Sequence, residues 1–488
     1  MKQISPIYTF TVLVVIGTLC LLAAVFWPKE QISSPLGQIK FSSTDVFNPF
    51  IHDDNELDVV ALLDSYAVDP IDSMAIAKAK NEAQKADSIA KAEAIALEKK
   101  VAFERLQIKF SESDVERLNR FFEALKDSKN QVIDVLHYGD SQIEGDRITS
   151  FLRNKWQERW GGTGPGMVPI VEAVPSSAIR QTSSSNMARY ALFGKADKPE
   201  HDRYGMMAAF AQMPVSEEEK KQTAWVSYKP SRLGHWRVKN YKLGKLFYGT
   251  YQDSVIMRYF LGDSLVEVDS LPPFANHRIK KFNWGAAPEE FKIEIEGESS
   301  PEFYGMNLYS PTGVQVHNLA MRGSSGTIFK KINKELLDTQ LKQFNTKLVL
   351  LQYGGNSVPY VESKEQADRY GSWFGSQIKR LKQLMPNACF LVIGPSDMAV
   401  KNGENFETYP FLEEVRDALK QAAFDNDCGF WDIYDVMGGE NSMKSWVAAE
   451  PALAGSDYVH FTSKGAKEIG KLFDQALMEQ FKIWSNEP

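Results

Sequence analysis

The chain has 488 residues, a length that predicts two or three domains. Its hydrophobic share of 43% and charged share of 24% are close to those of soluble globular proteins, which excludes wholesale disorder and collagen-like repeats. A net charge of -7 argues against broad electrostatic binding of nucleic acid, which needs a basic face. Three cysteines are too few to frame the fold with disulfides.

The first element in chain order is an uncharged apolar run over residues 7–27. Roughly 20 apolar residues in a helix cross the hydrocarbon core of a bilayer, so we predict a transmembrane signal anchor within residues 1–27. A cleaved signal peptide is the alternative, but its apolar stretch would be shorter and would end in a small-residue cleavage site. Lys2 and the amino terminus precede the run, which favours a cytoplasmic N-terminus. The rest of the chain is then predicted to lie outside the cytoplasm, in the periplasm.

Residues 28–104 are predicted to connect this anchor to the folded part of the chain. Residues 28–70 are polar, contain four prolines and show no periodic element. Residues 71–103 are dominated by Ala, Lys and Glu, which are strong helix formers, and contain neither Gly nor Pro. Their apolar stripe is thin, so we predict a solvated helical spacer or a weak coiled coil.

From about residue 105 the pattern predicts alternating helices and strands. A helix near 114–125, a strand over 132–138 and a helix near 145–158 come first. The alternation returns after residue 312, with strands at 347–353, 388–393 and 430–434 and helices near 363–384, 410–424 and 462–481. Apolar strands separated by amphipathic helices predict a parallel sheet with helices on both faces, formed by residues 105–170 and 313–488.

The stretch between these two parts, residues 171–312, has a different pattern. It contains short alternating segments such as 254–260, 264–268 and 290–295, with little sign of helix. Alternation with a period of two predicts half-buried strands. We therefore predict an inserted all-β module of the sandwich type.

Two Gly-Asp-Ser triplets are candidates for a serine nucleophile, GDSQ at 139–142 and GDSL at 262–265. A nucleophilic serine needs a tight bend between a strand and a helix, where its oxygen is exposed beside backbone N–H groups. GDSQ follows an apolar strand and precedes a predicted helix, whereas GDSL lies between two strand-like runs, where a hairpin turn explains it. The sequence therefore favours Ser141 over Ser264.

A histidine and an acid that could serve this serine occur near the C-terminus. Asp457 lies three residues before His460, just before the last predicted helix. At this spacing both side chains lie on one side of a turn. Asp457 could then hold Nδ1–H of His460 while Nε2 faces the serine.

Two further segments could supply donors to an oxyanion. A glycine-bearing loop over 318–326 contains Gly323, and Gly354-Gly355-Asn356 directly follows a predicted strand. The backbone N–H of Gly323 and the side-chain amide of Asn356 could join the N–H of Ser141 around a developing negative charge. Ordinary turn glycines and a capping Asn are the alternative for either segment alone.

With these residues in place, the chain resembles the SGNH (GDSL-like) hydrolase family, whose four sequence blocks carry Ser, Gly, Asn and His. The matching residues are Ser141, Gly323, Asn356, and Asp457 with His460. The resemblance implies a flavodoxin-like three-layer α/β fold. It also implies hydrolysis of O-acyl esters through a serine acyl-enzyme, with neither metal nor cofactor.

A narrower resemblance concerns the substrate. The insert and the motifs at 137–149 and 430–443 look like those of exported O-acetylesterases of cell walls and polysaccharides. One departure from the family is Ser357, where many members have Asp after the third-block Asn. The resemblance implies an acetylated polysaccharide or peptidoglycan as the substrate, and a carbohydrate-binding-like role for the insert.

Three questions stay open at this stage. Some relatives transfer acetyl groups instead of hydrolysing the ester, and a transferase would call for a membrane acyl-transfer partner. A membrane-tethered, non-catalytic glycan-binding scaffold is the alternative of another class. The sequence also leaves open whether Cys389 and Cys428, which begin two predicted strands or lie beside them, are bonded to each other.

Overall fold

The structure is a computed structural model that describes residues 101–486, apart from 111, 217, 219 and 220. Upstream it describes only residues 32–34 and 37–39 and single positions at 78, 85, 88, 91, 97 and 100. The predicted anchor at 7–27 and most of the linker and spacer therefore lie outside the described residues. Among the helices of the described part, none combines the length and the apolar character needed to cross a bilayer.

The chain contains twenty described strands and eight described α-helices longer than four residues. The strands are β1 (Ile32–Ser34), β2 (Gly37–Ile39), β3 (Val132–Gly139), β4 (Gly166–Val168), β5 (Ile179–Ser183), β6 (Ala188–Ala191), β7 (Ala209–Gln212), β8 (Gln222–Pro230), β9 (Leu243–Tyr251), β10 (Val255–Leu261), β11 (Ser264–Leu271), β12 (Phe274–Asn283), β13 (Phe291–Gly297), β14 (Glu302–Tyr309), β15 (Gly313–Ala320), β16 (Thr346–Gln352), β17 (Cys389–Ile393), β18 (Ala399–Asn402), β19 (Asn405–Thr408) and β20 (Gly429–Trp431). The helices are α1 (Glu112–Lys126), α2 (Arg147–Trp160), α3 (Lys334–Leu341), α4 (Lys364–Leu384), α5 (Leu412–Phe424), α6 (Ile433–Met437), α7 (Ser442–Ala448) and α8 (Ser463–Ser485). Strands β1 and β2 pair with each other as a short antiparallel hairpin.

A five-stranded parallel sheet forms the centre of the α/β part, with strand order β15-β3-β16-β17-β20. Its strands are nearly continuous apolar runs because helices cover both faces. Strand β3 shows the division between the faces: Ile133 and Val135 belong to one core, and Leu136 and Tyr138 belong to the other. The sheet therefore separates two hydrophobic cores.

Helices complete the three layers predicted for an α/β fold. Apolar residues of α1, α2 and α8 pack in the core on one face, and those of α3, α4 and α5 pack in the core on the other. The prediction of an α/β fold of the SGNH type is confirmed. The predicted strand over 430–434 is too long: β20 ends at Trp431, because the side chain of Asp432 accepts a hydrogen bond from the N–H of Asp435 and caps α6.

Residues between β3 and β15 form two antiparallel sheets. One has the order β11-β10-β13-β8-β5, and the other has the order β12-β9-β14-β7-β6 with β4 also paired to β14. A third core contains residues from both sheets, such as Tyr259 and Ile293 from the first and Leu246 and Met306 from the second. The two sheets therefore pack face to face. The strands run from Gly166 to Tyr309, and the domain ranges given above stay predictions.

The six-stranded sheet also packs against the α/β part through its other face. Phe247 of β9 stacks on Phe344, which precedes β16, with ring centroids 5.7 Å apart. Tyr304 of β14 belongs to the same core as Tyr138 of β3. Cys389 and Cys428 are both buried in the α/β part.

Candidate active site

The predicted site residues follow strands that end at one edge of the parallel sheet. Ser141 lies two residues beyond the end of β3, Gly323 follows β15, and Asn356 follows β16. Because the carboxyl ends of parallel strands meet at one edge, the sheet brings these residues together, and such an edge is the usual ligand site of open α/β sheets. All three line one open cleft with a volume of about 1470 Å³.

The bend that carries Ser141 depends on close packing at the end of β3. A Cβ on Gly139 would lie 2.9 Å from Cδ1 of Ile143 and 3.1 Å from the carbonyl oxygen of Gln352, so this position has room for glycine only. The side chain of Asp140 accepts a hydrogen bond of 2.9 Å from the N–H of Gln142, which tightens the turn. These local contacts turn the chain sharply enough to point Ser141 into the cleft.

Ser141, His460 and Asp457 form a chain of hydrogen bonds. Oγ of Ser141 lies 2.8 Å from Nε2 of His460, and Nδ1 of His460 lies 2.8 Å from Oδ2 of Asp457. The side chains of His460 and Asp457 are 37% and 53% exposed, so the arrangement is open to solvent and to a ligand. A base that contacts a serine while an acid holds its other nitrogen has the geometry that nucleophilic catalysis needs.

Asp457 is held in its ionised form by its hydrogen bonds. Partial burial acts to raise its pKa, but the N–H and ring of His460 and the N–H of Val459 donate to the carboxylate, and together they lower the pKa below its ordinary value. Oδ1 accepts both N–H bonds at 3.0 Å, and Oδ2 contacts the ring. One carboxylate therefore fixes both the backbone turn and the orientation of the imidazole.

Asp140 is a second carboxylate in the site, and it is buried with only 4% of its surface exposed. Burial raises its pKa from an ordinary value of 3.8 to about 6, against the hydrogen bond from Gln142 N–H and the influence of His460 and Asn356. Its Oδ2 accepts a hydrogen bond of 2.9 Å from the side-chain amide of Asn356. The same amide donates to the carbonyl of Ser324 at 3.2 Å, so both of its hydrogens already have acceptors.

The two predicted backbone donors are uncommitted by comparison. Among the described residues, no acceptor receives a hydrogen bond from the N–H of Ser141 or from the N–H of Gly323. Gly323 has a φ of +75°, a left-handed conformation that favours glycine. Both N–H groups are therefore available to an oxygen atom in the cleft.

Two side chains that the sequence interpretation missed tie the serine turn to the histidine segment. Gln142 donates to the carbonyl of Val459 at 2.7 Å and accepts from the N–H of Phe461 at 3.3 Å, so its amide contacts both neighbours of His460. Arg147 donates to the carbonyl of Ser141 and, at 3.1 Å, to that of Phe461. The available signal was the polar fourth letter of GDSQ, where the second triplet has Leu.

A third missed contact ties the serine turn to the loop of Gly323. Nε and Nη2 of Arg322 both lie 2.7 Å from Oε2 of Glu144, whose side chain is only 9% exposed. Arg322 directly precedes Gly323, and Glu144 lies three residues after Ser141. The positions of the serine and of one backbone donor are therefore linked by a charged hydrogen-bonded pair.

The second triplet has a different environment. Gly262 and Asp263 connect β10 to β11, and Ser264 pairs with Leu261 in the register of this hairpin. Ser264 is exposed. The prediction of a hairpin turn at GDSL is confirmed.

Two histidines near the site have structural environments. His137 is buried between Gln352 and Thr149, and burial lowers its pKa to about 4. His317 is buried as well, and it contacts Asp134 at 2.9 Å and the N–H of Met167 at 3.0 Å. No group of three or more metal-ligating side chains occurs among the residues that the structure describes.

The fold and the site together define the class of the protein as an α/β hydrolase with its site at the carboxyl ends of the strands. The sequence model of the GDSL-like Lipase/Acylhydrolase family matches residues 260–468. The protein is a serine ester hydrolase of this family. The matched range includes the GDSL triplet at 262–265 and excludes Ser141, whereas the hydrogen bond to His460 comes from Ser141. No match was found among curated proteins.

Solved structures share this fold. A peptidoglycan O-acetylesterase is 19% identical, with a TM-score of 0.59, over 75% of this chain and 96% of its own. A putative GDSL-like lipase from Bacteroides ovatus is 11% identical, with a TM-score of 0.25, over 62% and 98% of the two chains. A family two carbohydrate esterase from Clostridium thermocellum is 9% identical, with a TM-score of 0.24, over 61% and 99%. The first similarity shows the shared fold, and the other two are too low to add to it.

Proposed function

We propose that this protein removes O-acetyl groups from a cell-wall or surface polysaccharide, with Ser141 as the nucleophile. The observation that carries this proposal is the 2.8 Å contact between Oγ of Ser141 and Nε2 of His460, which Asp457 orients from the other side of the ring. The polysaccharide is proposed because the similarity to a peptidoglycan O-acetylesterase extends over 96% of that chain. Such an extent includes more than a catalytic core.

The mechanism uses groups that already touch. Nε2 of His460 takes the proton of Ser141 as Oγ bonds to the ester carbonyl carbon, and the carbonyl oxygen becomes an oxyanion. His460 then gives this proton to the sugar oxygen as the carbon–oxygen bond of the ester breaks. Water, deprotonated by His460, attacks the acetyl-enzyme in turn, and acetate leaves as the proton returns to Oγ of Ser141. Asp457 stays ionised and stabilises the imidazolium in both halves of the reaction.

The oxyanion is proposed to bind the N–H groups of Ser141 and Gly323, which are uncommitted, and the amide of Asn356. The amide of Asn356 already donates to Asp140 and to the carbonyl of Ser324, so it must exchange one of these bonds to reach the oxyanion. Donors that are aimed before the reaction supply the largest share of such stabilisation. The two backbone N–H groups are therefore proposed as the main donors and Asn356 as the third.

The location is proposed from the sequence. The apolar run at 7–27 would anchor the chain in the cytoplasmic membrane, and the catalytic part would then face the cell wall from outside the cytoplasm. An inserted pair of antiparallel sheets beside the site would offer a surface for the polymer. These proposals place enzyme and acetylated polysaccharide in one compartment.

The test is release of acetate by the full chain from O-acetylated peptidoglycan, acetylated xylan and other acetylated polysaccharides. Wild type, Ser141→Ala and Ser264→Ala are compared on each polymer. Release that is lost in Ser141→Ala and kept in Ser264→Ala supports the proposal and ranks the substrates. No release from any polymer by a folded wild type contradicts hydrolysis, and transfer to an added acceptor sugar would then identify the protein as a transferase.

A further inference from the structure

One aromatic side chain in the cleft stands apart from the others by its exposure. Tyr360 lines the cleft of Ser141 and His460 with 81% of its surface exposed, whereas Tyr353 in the same cleft is 1% exposed. Within the part of the chain that the structure describes, the Tyr360 hydroxyl makes no hydrogen bond and the ring contacts no other ring. A large apolar face left in water beside a catalytic site indicates a place where a ligand binds.

The backbone beneath Tyr360 is stiff. Val358, Pro359 and Tyr360 form one 3₁₀ turn that begins two residues after Asn356. Val358 is buried, Pro359 has a fixed φ, and the N–H of Tyr360 donates to the carbonyl of Ser357 at 3.0 Å. The ring is therefore presented on a rigid base, and little conformational entropy is lost when a ligand covers it.

The chemistry of this surface fits a sugar ring. Tyrosine offers a flat apolar face with negative charge density at its centre, together with a polar hydroxyl at the edge. A pyranose has one face lined by C–H groups, which carry partial positive charge, and hydroxyls around its rim. Stacking removes both apolar faces from water and leaves the hydroxyls of both partners free to form hydrogen bonds.

We propose that Tyr360, beside Pro359, forms a subsite that stacks on a sugar ring of the substrate and so selects acetylated glycans over small acetate esters. The inference rests on the proposed function, because it concerns the alcohol part of the same ester. Tyr360 binds the sugar next to the reacting ester, and Ser141 and His460 act on the acetyl group. Its contribution is uniform binding of substrate and transition state, so it lowers KM and leaves kcat unchanged.

The test compares a glycan with a ring-free ester. Acetate release by the full chain is measured on the best acetylated polysaccharide and on ethyl acetate, for wild type, Tyr360→Ala, Tyr360→Trp and Trp373→Ala. Trp373 is the matched control, because it is an exposed aromatic residue at 62% that does not line the cleft. Truncation of a central aromatic contact typically weakens binding about tenfold.

We expect Tyr360→Ala to raise KM for the polysaccharide about tenfold, with kcat unchanged and with less than a twofold change on ethyl acetate. Tyr360→Trp should keep the wild-type KM, and Trp373→Ala should match wild type on both substrates. An unchanged polysaccharide KM in Tyr360→Ala, or an equal loss on both esters, overturns the subsite. A wild type that cleaves ethyl acetate and no polysaccharide overturns the proposed function itself, and the subsite with it.

Discussion

The chain contains Gly-Asp-Ser twice, at 139–141 and at 262–264, and the two copies have unrelated structures. The first follows a buried parallel strand, its aspartate is 4% exposed, and its serine contacts His460. The second is the turn of a hairpin at the edge of an antiparallel sheet, and both its aspartate and its serine are exposed. The same three letters therefore produce a candidate nucleophile in one place and an ordinary turn in the other.

The difference teaches that the surroundings, and not the triplet, make the serine useful. Ser141 has a base because the chain returns to it after 319 residues, and this return depends on the parallel sheet. Ser264 has only its hairpin neighbours. Comparing the two triplets letter by letter therefore separates what the motif does locally from what the site requires.

The third letter gives the largest expected effect. Ser141→Ala removes the proposed nucleophile, so kcat/KM for acetate release should fall roughly 10⁴-fold or more. Ser264→Ala should leave kcat/KM unchanged, because Ser264 is exposed in the hairpin. Steady-state acetate release measures both. A large loss in Ser264→Ala, with Ser141→Ala active, would reverse the assignment of the nucleophile.

The second letter predicts a pH effect on stability. Asp140 has a folded-state pKa of about 6, above its ordinary value of 3.8, so the folded state binds the proton more tightly. Stability is then highest below about pH 4 and falls as pH rises toward 6, by up to about 3 kcal/mol, because the unfolded chain loses its proton first. Asp140→Asn cannot ionise and should not show this fall.

The measurement is chemical unfolding of wild type, Asp140→Asn and Asp263→Asn at intervals between pH 4 and pH 7. The difference in unfolding free energy between Asp140→Asn and wild type should shift in favour of the variant as pH rises. Asp263 is exposed in the hairpin, so Asp263→Asn should follow wild type throughout. Parallel curves for all three proteins would show that Asp140 does not carry the raised pKa.

The fourth letter differs between the triplets, so exchanging it tests the contact with the histidine segment. Gln142→Leu removes the hydrogen bonds to Val459 and Phe461, which hold the backbone on both sides of His460. Because small misplacements of catalytic groups cost up to about 100-fold in rate, we expect kcat to fall roughly 10- to 100-fold with KM little changed. Leu265→Gln, on an exposed position of β11, should have no effect.

Two readouts separate positioning by Gln142 from a general structural role. Gln142→Glu keeps an acceptor for the N–H of Phe461 and should recover part of the rate, whereas Gln142→Leu should not. Thermal unfolding of both variants should stay close to wild type while kcat differs. A loss of rate that follows the loss of stability would contradict the role in positioning.

The first letter gives the smallest effect, and its cause differs between the copies. Gly139→Ala would force a Cβ against Ile143 and the carbonyl of Gln352, so we expect a loss of about 1–3 kcal/mol in unfolding free energy. Gly262 has open space but a φ of +57°, so Gly262→Ala should cost about 1 kcal/mol and Gly262→Asn less. Denaturant unfolding measures all three, and an unaltered Gly139→Ala would contradict the close packing.

Much of the fold followed from patterns along the sequence. The helices over 364–384 and 463–485 and the strands β3, β16 and β17 begin and end within a few residues of the predicted bounds, because their apolar runs and periods are clear. The end of β20 was missed, because the cap formed by Asp432 is a side-chain contact that hydropathy does not reveal. The anchor at 7–27 and the domain ranges stay predictions.

The candidate site was predicted less completely than the fold. Ser141, His460 and Asp457 could be chosen from short motifs, because the strand before the serine and the D-x-x-H spacing are local features. Gln142, Arg147 and Arg322 could not, because their partners lie in segments far away in the sequence. A polar or charged side chain carries no local signal of the carbonyl or carboxylate that it will contact.

The sequence by itself determined the elements and the turn that exposes Ser141, because periodicity, glycine and the capping of strands and helices act over a few residues. Only the tertiary structure decided which serine meets a base, which backbone N–H groups are uncommitted, and that Tyr360 lies exposed in the same cleft. These features depend on distances between segments that are hundreds of residues apart. Such distances follow from how the parallel strands align their carboxyl ends, which the packing of the whole sheet determines.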